Sequence, residues 1–133
     1  MGTERIDKQS DKYKNIAPPP HIGAKNNPSD AVLNYLLVMP RFVDTVGEWY
    51  QFPLGIPYVS SCMKAAGLRV YTLNMNHEEG SVADTVQAYI KKYDIGMLLT
   101  GGLSFQYNAI KEILQAAKEY DPNIVTVAGG GII

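Results

Sequence analysis

The sequence predicts an open α/β fold, a parallel sheet in the strand order 2-1-3-4 with helices in its crossovers. Two observations carry this. From residue 31 onward, apolar β-compatible runs alternate with segments of helical periodicity, which requires right-handed crossovers between parallel strands. Two of the apolar runs end in glycine: Asp94-Ile95-Gly96-Met97-Leu98-Leu99 leads into Thr100-Gly101-Gly102-Leu103-Ser104, and Ile124-Val125-Thr126-Val127-Ala128 leads into Gly129-Gly130-Gly131. Glycine at a strand end brings bare backbone amides to the carboxyl edge of the sheet, where open α/β folds bind their ligands. Side-chain chemistry is sparse in both turns. The chain therefore reads first as a binding module for a large, flat or phosphate-bearing ligand, and only second as a catalyst.

The elements follow in order. Residues 1–30 carry Lys, Asp, Asn and a Pro18-Pro19-Pro20 run with almost no apolar periodicity, and read as a flexible leader or linker; the domain is assigned to residues 31–133. Residues 33–39 form the first strand, which Pro40 ends. Residues 56–66 form a helix with Val59, Cys62, Met63 and Ala66 on one face, Pro57 in its first turn and Gly67 at its C-terminal stop, so Cys62 is expected in the core. Residues 68–73 are the second strand. Ser81 and Asp84 resemble a capping pair for a helix bearing Val82, Val86, Tyr89, Ile90 and Tyr93 at helical spacing. Residues 94–99 are the third strand, apolar enough to be covered on both faces. A helix marked by Ile110, Ile113, Leu114 and Ala117, a turn at Asp121-Pro122 and a fourth strand over residues 124–128 complete the series. A doubly wound sheet normally adds a further helix and a fifth strand, so the domain is expected to be truncated before that strand.

Composition narrows the partners. With 46% hydrophobic residues, 19% charged and a formal net charge of −1, the chain is neither disordered throughout nor a nucleic-acid-binding surface. Its single cysteine, Cys62, excludes an internal disulfide or multi-cysteine cluster within the chain and points to a reducing cytoplasm. No apolar run is long enough to span a membrane, and the N-terminal residues lack the apolar stretch of a signal peptide.

Candidate ligand contacts gather where strands end. The loop over residues 41–53 is long for a strand-to-helix connection and holds Trp49, Tyr50 and Phe52, which either lie on a flat ligand or cover the core or a neighbouring domain. Asn74 and His77 follow the second strand; His77 has no second histidine or cysteine at metal-ligand spacing and reads as a loop residue, as His21 does in the leader. Thr100 and Ser104 add hydroxyls to the glycine turn. The candidate cofactor-binding set is Thr100, Gly101, Gly102, Leu103, Ser104, Gly129, Gly130, Gly131, Trp49 and Asn74, with no catalytic and no metal-ligating residue in it. Neither a G-x-x-x-x-G-K-[ST] loop nor a G-x-G-x-x-G after the first strand is present, which weighs against a P-loop enzyme or a nicotinamide dehydrogenase.

Taken in order, Pro53-Leu54-Gly55-Ile56-Pro57-Tyr58, Ala66-Gly67-Leu68-Arg69-Val70, Leu73-Asn74-Met75-Asn76-His77, Thr100-Gly101-Gly102-Leu103-Ser104 and Gly129-Gly130-Gly131 resemble the N-terminal cobalamin-binding domain of cobalamin-dependent radical S-adenosylmethionine enzymes. The resemblance covers residues 33–133. It implies a flavodoxin-like (Rossmann-like) sheet holding cobalamin at its carboxyl edge, with Thr100, Gly129 and Gly130 lining a channel for the nucleotide tail. It also implies a downstream radical domain supplying S-adenosylmethionine and an iron–sulfur cluster, because the C-x-x-x-C-x-x-C motif is absent from this chain. The D-x-H-x-x-G motif of methionine-synthase-like relatives is missing too, since Asp44 is followed by Thr45, Val46 and Gly47, so no histidine of the first loop is expected on cobalt. Two other readings stay open: the sugar-nucleotide-binding half of a glycosyltransferase-like enzyme, and a cofactor-free structural domain of the same fold.

Overall fold

A computed structural model describes residues 33–42 and 52–131. Four strands, β1 (Asn34–Met39), β2 (Arg69–Asn74), β3 (Ile95–Gly102) and β4 (Val125–Gly130), pair in parallel in the order β2-β1-β3-β4, the order expected of a flavodoxin-like sheet. Three helices connect them: α1 (Gly55–Ala65), α2 (Val82–Tyr93) and α3 (Tyr107–Tyr120).

The core lies on one face of the sheet. Leu36 and Val38 of β1, Leu73 of β2 and Leu98 of β3 point to the same side, as period-two alternation demands, and meet Val86 and Ile90 of α2 and Ile113, Ala116 and Ala117 of α3. These two helices are amphipathic at the expected positions. Ser81 caps α2: its Oγ accepts from the Asp84 amide at 3.0 Å and donates to Asp84 Oδ2 at 2.7 Å. At the other end of α2, Asp94 takes a left-handed conformation (φ 50°) and Asn34 Nδ2 donates to the Tyr93 carbonyl at 2.7 Å, tying the last turn to the start of β1.

The opposite face is only partly covered, by α1. Met97 and Leu99 of β3 are half-buried there, while Val125 and Val127 of β4 are exposed. The apolar run of β3 is thus sealed on one side, in contrast to the two-sided cover its composition predicts. Helix α1 also differs from expectation. Its Cys62 is exposed and Val59 is 47% exposed, and Ser60 is the residue that packs inward. The apolar face read from spacing is thus mostly open, with Val59, Cys62 and Ala66 exposed and Met63 half-buried. The stop at Gly67 is as expected: with φ at 83°, its amide donates to Lys64 O at 3.0 Å and the Leu68 amide to Met63 O at 3.1 Å, the paired bonds of a Schellman turn.

Candidate functional site

Because all four strands run the same way, the ends of β1, β3 and β4 open on one edge. Of the glycines expected to form two turns there, all but Gly131 are strand residues, paired across β3 and β4 with Gly101 opposite Gly129 and Gly102 opposite Gly130. Each strand is therefore longer than its apolar run. The pairing is close: a Cβ on Gly101 would fall 2.6 Å from the Gly129 carbonyl oxygen, and one on Gly130, where φ is 89°, would fall 2.5 Å from the Gly102 carbonyl oxygen. Side chains at 101 and 130 would push the two strands apart.

Between these strand ends and the first turn of α1 lies a cleft of about 560 Å³, in the usual size range for a small-molecule site. Leu37, Leu99 and Val127 form its apolar floor, Gly55, Ile56 and Val59 one wall, and Phe42 and Leu103 its mouth. Phe42 meets Phe105 edge-on, with ring centroids 5.3 Å apart, bridging the loops that follow β1 and β3. Exposed Phe52, Leu54 and Tyr58 flank one side of this edge, and Leu103 and Phe105 the other.

Of the candidate residues, Thr100, Gly101, Gly102, Leu103, Gly129, Gly130 and Gly131 line the cleft together. Ser104 and Asn74 do not line it, and Trp49 lies outside the described residues. Ser104 is exposed at the start of the 3-10 turn Ser104–Gln106. Asn74 Oδ1 accepts from the amide of Asn76 at 3.1 Å and from its Nδ2 at 2.8 Å, capping the short 3-10 turn Met75–His77. The Thr100 hydroxyl is committed as a donor, to the Val38 carbonyl of β1 at 2.9 Å, and keeps lone pairs for accepting.

Two polar residues have structural roles that the sequence did not assign. Asn76, buried, receives the Phe42 amide on Oδ1 at 2.6 Å and donates from Nδ2 to Pro40 O at 3.2 Å. With Arg41, whose Nε and Nη2 donate to Met75 O and Glu78 O at 3.2 and 2.8 Å, it binds the end of β1 to the turn after β2. Gln106 is the second: 5% exposed, it lines the cleft and accepts the Leu103 amide on Oε1 at 3.1 Å. The spacing of Leu103 and Gln106, with glutamine three residues after a helix-start position, is half of a capping box and was its signal.

The described lining holds no titratable side chain, and among the described residues no cluster of three His, Cys, Asp or Glu could hold a metal ion. His77 is exposed and does not line the cleft. No helix among the described residues is long and apolar enough to cross a membrane. Such a site holds a ligand by shape, apolar contact and backbone amides.

Residues 41–133 match the family model for the B12 binding domain. Neither the curated proteins nor the solved structures gave a match. The family match spans most of the chain and includes the glycine-paved strand ends and all of the cleft lining except Leu37 and Pro40, and the chain belongs to the B12-binding domain family.

Proposed function

We propose that this chain binds cobalamin in the carboxyl-edge cleft and presents it to a radical S-adenosylmethionine domain, supporting methyl transfer or related radical chemistry. One observation carries the binding site: a Cβ on Gly129 would meet no heavy atom within 4 Å, so the missing side chain there leaves open space at the cleft wall. The rest of the cleft fits a flat, largely apolar group entering from the sheet edge. In this reading the backbone of Gly101, Gly102, Leu103, Gly129, Gly130 and Gly131 lies against the nucleotide tail and the Thr100 hydroxyl accepts from it. Ser104 and Asn74, which do not line the cleft, belong to the part of the cofactor outside it. When bound, cobalamin supplies a cobalt that carries an alkyl group between donor and acceptor. S-adenosylmethionine and the iron–sulfur cluster belong to the radical domain, since one cysteine cannot hold such a cluster. A sugar nucleotide fits less well, because no described lining residue is cationic and its diphosphate brings two negative charges to an apolar cleft, against the single one of cobalamin's phosphodiester.

Gel filtration after incubation with hydroxocobalamin tests the reading. The expected result is stoichiometric visible absorbance co-eluting with the protein; a folded protein that elutes colourless from excess cobalamin overturns it. The radical context is tested by anaerobic purification of the natural gene product from its native cells. Iron–sulfur absorption beside that of cobalt supports it, and cobalt without iron refutes it.

A further inference from the structure

We propose that Gln106 is the specificity residue of this cleft: its Nε2 donates to a ring nitrogen of the base carried by the bound corrinoid's tail, so that corrinoids with a nitrogen heterocycle are preferred. The inference rests on the cobalamin reading above. Gln106 is 95% removed from solvent, its exposure being 5%, and yet it lines the cleft. The Leu103 amide occupies its Oε1, which fixes the carboxamide's orientation and leaves Nε2 as the uncommitted end. Nε2 meets no hydrogen-bond acceptor among the described residues, and it is not sealed from water. A ligand acceptor placed there replaces the water that Nε2 meets in the free protein with a hydrogen bond inside an apolar cleft, where such a bond counts for more than it does in water.

The surroundings make this donor count. Thr100 has spent its hydroxyl proton on Val38, so among the described lining side chains Gln106 alone has a donor to offer a ligand. The neighbouring side chains Leu37, Ile56, Leu99 and Val127 are apolar. Gly102 explains how the carboxamide reaches its place, for a Cβ at 102 would run into Gln106 Oε1. This glycine therefore makes room for the chain's own amide, while Gly129 makes room for the ligand. The pocket so formed suits a flat apolar ring with one acceptor on its edge. A benzimidazole whose ring nitrogen is off the cobalt has that form; a phenolic base has no ring nitrogen to accept.

The full chain is titrated with cobalamin, with a cobamide bearing p-cresol as its base, and with cobinamide, which lacks the tail. Wild type is expected to bind cobalamin roughly three- to thirtyfold more tightly than the cresol cobamide, as the loss of one buried hydrogen bond implies. Gln106→Met removes that preference. Gln106→Glu keeps an oxygen for the Leu103 amide and loses the donor, so cobalamin binding weakens at about pH 8 and recovers toward about pH 6 as the carboxyl group takes up a proton, whereas wild type stays flat. Should Gln106→Met fail to fold, Gln106→Glu decides alone. Equal affinity of wild type for cobalamin and the cresol cobamide, or a preference that survives in the folded variants, overturns the role of Gln106 and leaves cobalamin binding standing. Failure of wild type to bind any of the three ligands overturns both.

Discussion

Gly101 and Gly129 face one another across β3 and β4, and their crowding is one-sided: a Cβ on Gly101 meets the Gly129 carbonyl oxygen at 2.6 Å, whereas a Cβ on Gly129 meets nothing within 4 Å. The two glycines thus answer different demands, strand packing at 101 and open cleft at 129. Gly101→Ala is expected to lower stability by about 1–3 kcal/mol through forced strand separation. Gly129→Leu is expected to leave the unfolding free energy from urea titration within about 0.5 kcal/mol of wild type and to weaken corrinoid binding. A Gly129→Leu protein that is folded and binds as wild type does would place the ligand elsewhere.

His77 ends the turn after β2, exposed and away from the cleft lining. In the cobalamin-loaded protein, the electron paramagnetic resonance of cobalt(II) is expected to be the same for wild type and His77→Ala. Nitrogen superhyperfine splitting that disappears in the variant would instead assign His77 to cobalt.

Asn76 joins Pro40 and Phe42 to the turn after β2 through two hydrogen bonds, the one to Pro40 buried and the one from Phe42 partly so. Asn76→Ala removes the hydrogen bonds to the Phe42 amide and the Pro40 carbonyl together, and a loss of about 2–3 kcal/mol in urea unfolding is expected. An unchanged midpoint would mean that this link contributes nothing to the fold.

The Tyr89 phenol is held above its ordinary pKa, first by burial and then by Glu78, whose carboxylate repels the phenolate and accepts the phenol's hydrogen bond at 3.3 Å. The folded state therefore keeps this proton to higher pH than the unfolded chain. Its contribution to stability is complete below about pH 10 and is lost as pH rises through the raised value. Tyr89→Phe is expected to flatten the alkaline fall of the urea midpoint, and a fall as steep as that of wild type would refute the linkage.

Strand order, α2 and α3 were legible because their apolar positions repeat at periods of two and 3.6, and Ser81 with Asp84 announced a helix start. The lengths of β3 and β4 were not, because glycine carries no strand propensity and joins the sheet here only through its neighbour across the ladder. Cys62 was misplaced for a related reason: periodicity names an apolar face without saying what stands opposite, and opposite α1 the sheet is short of cover. Thr100 and the glycines were found from their type and place, whereas Gln106 needed the fold to bring its amide over Gly102.

The loose seating of α1 bears on how the free and loaded proteins differ in motion. Ser60 is its one buried residue among those described, while Gly55, Ile56 and Val59 face the cleft. Much of the apolar surface that would anchor this helix is thus left for the ligand to cover. Backbone amides of Gly55–Ala65 should accordingly exchange with deuterium faster than those of α2 or α3 in the free protein, by local opening well short of global unfolding. Ligand and helix then complete each other's packing, and exchange slowed selectively in α1 would report occupancy of the cleft even where no colour change accompanies binding.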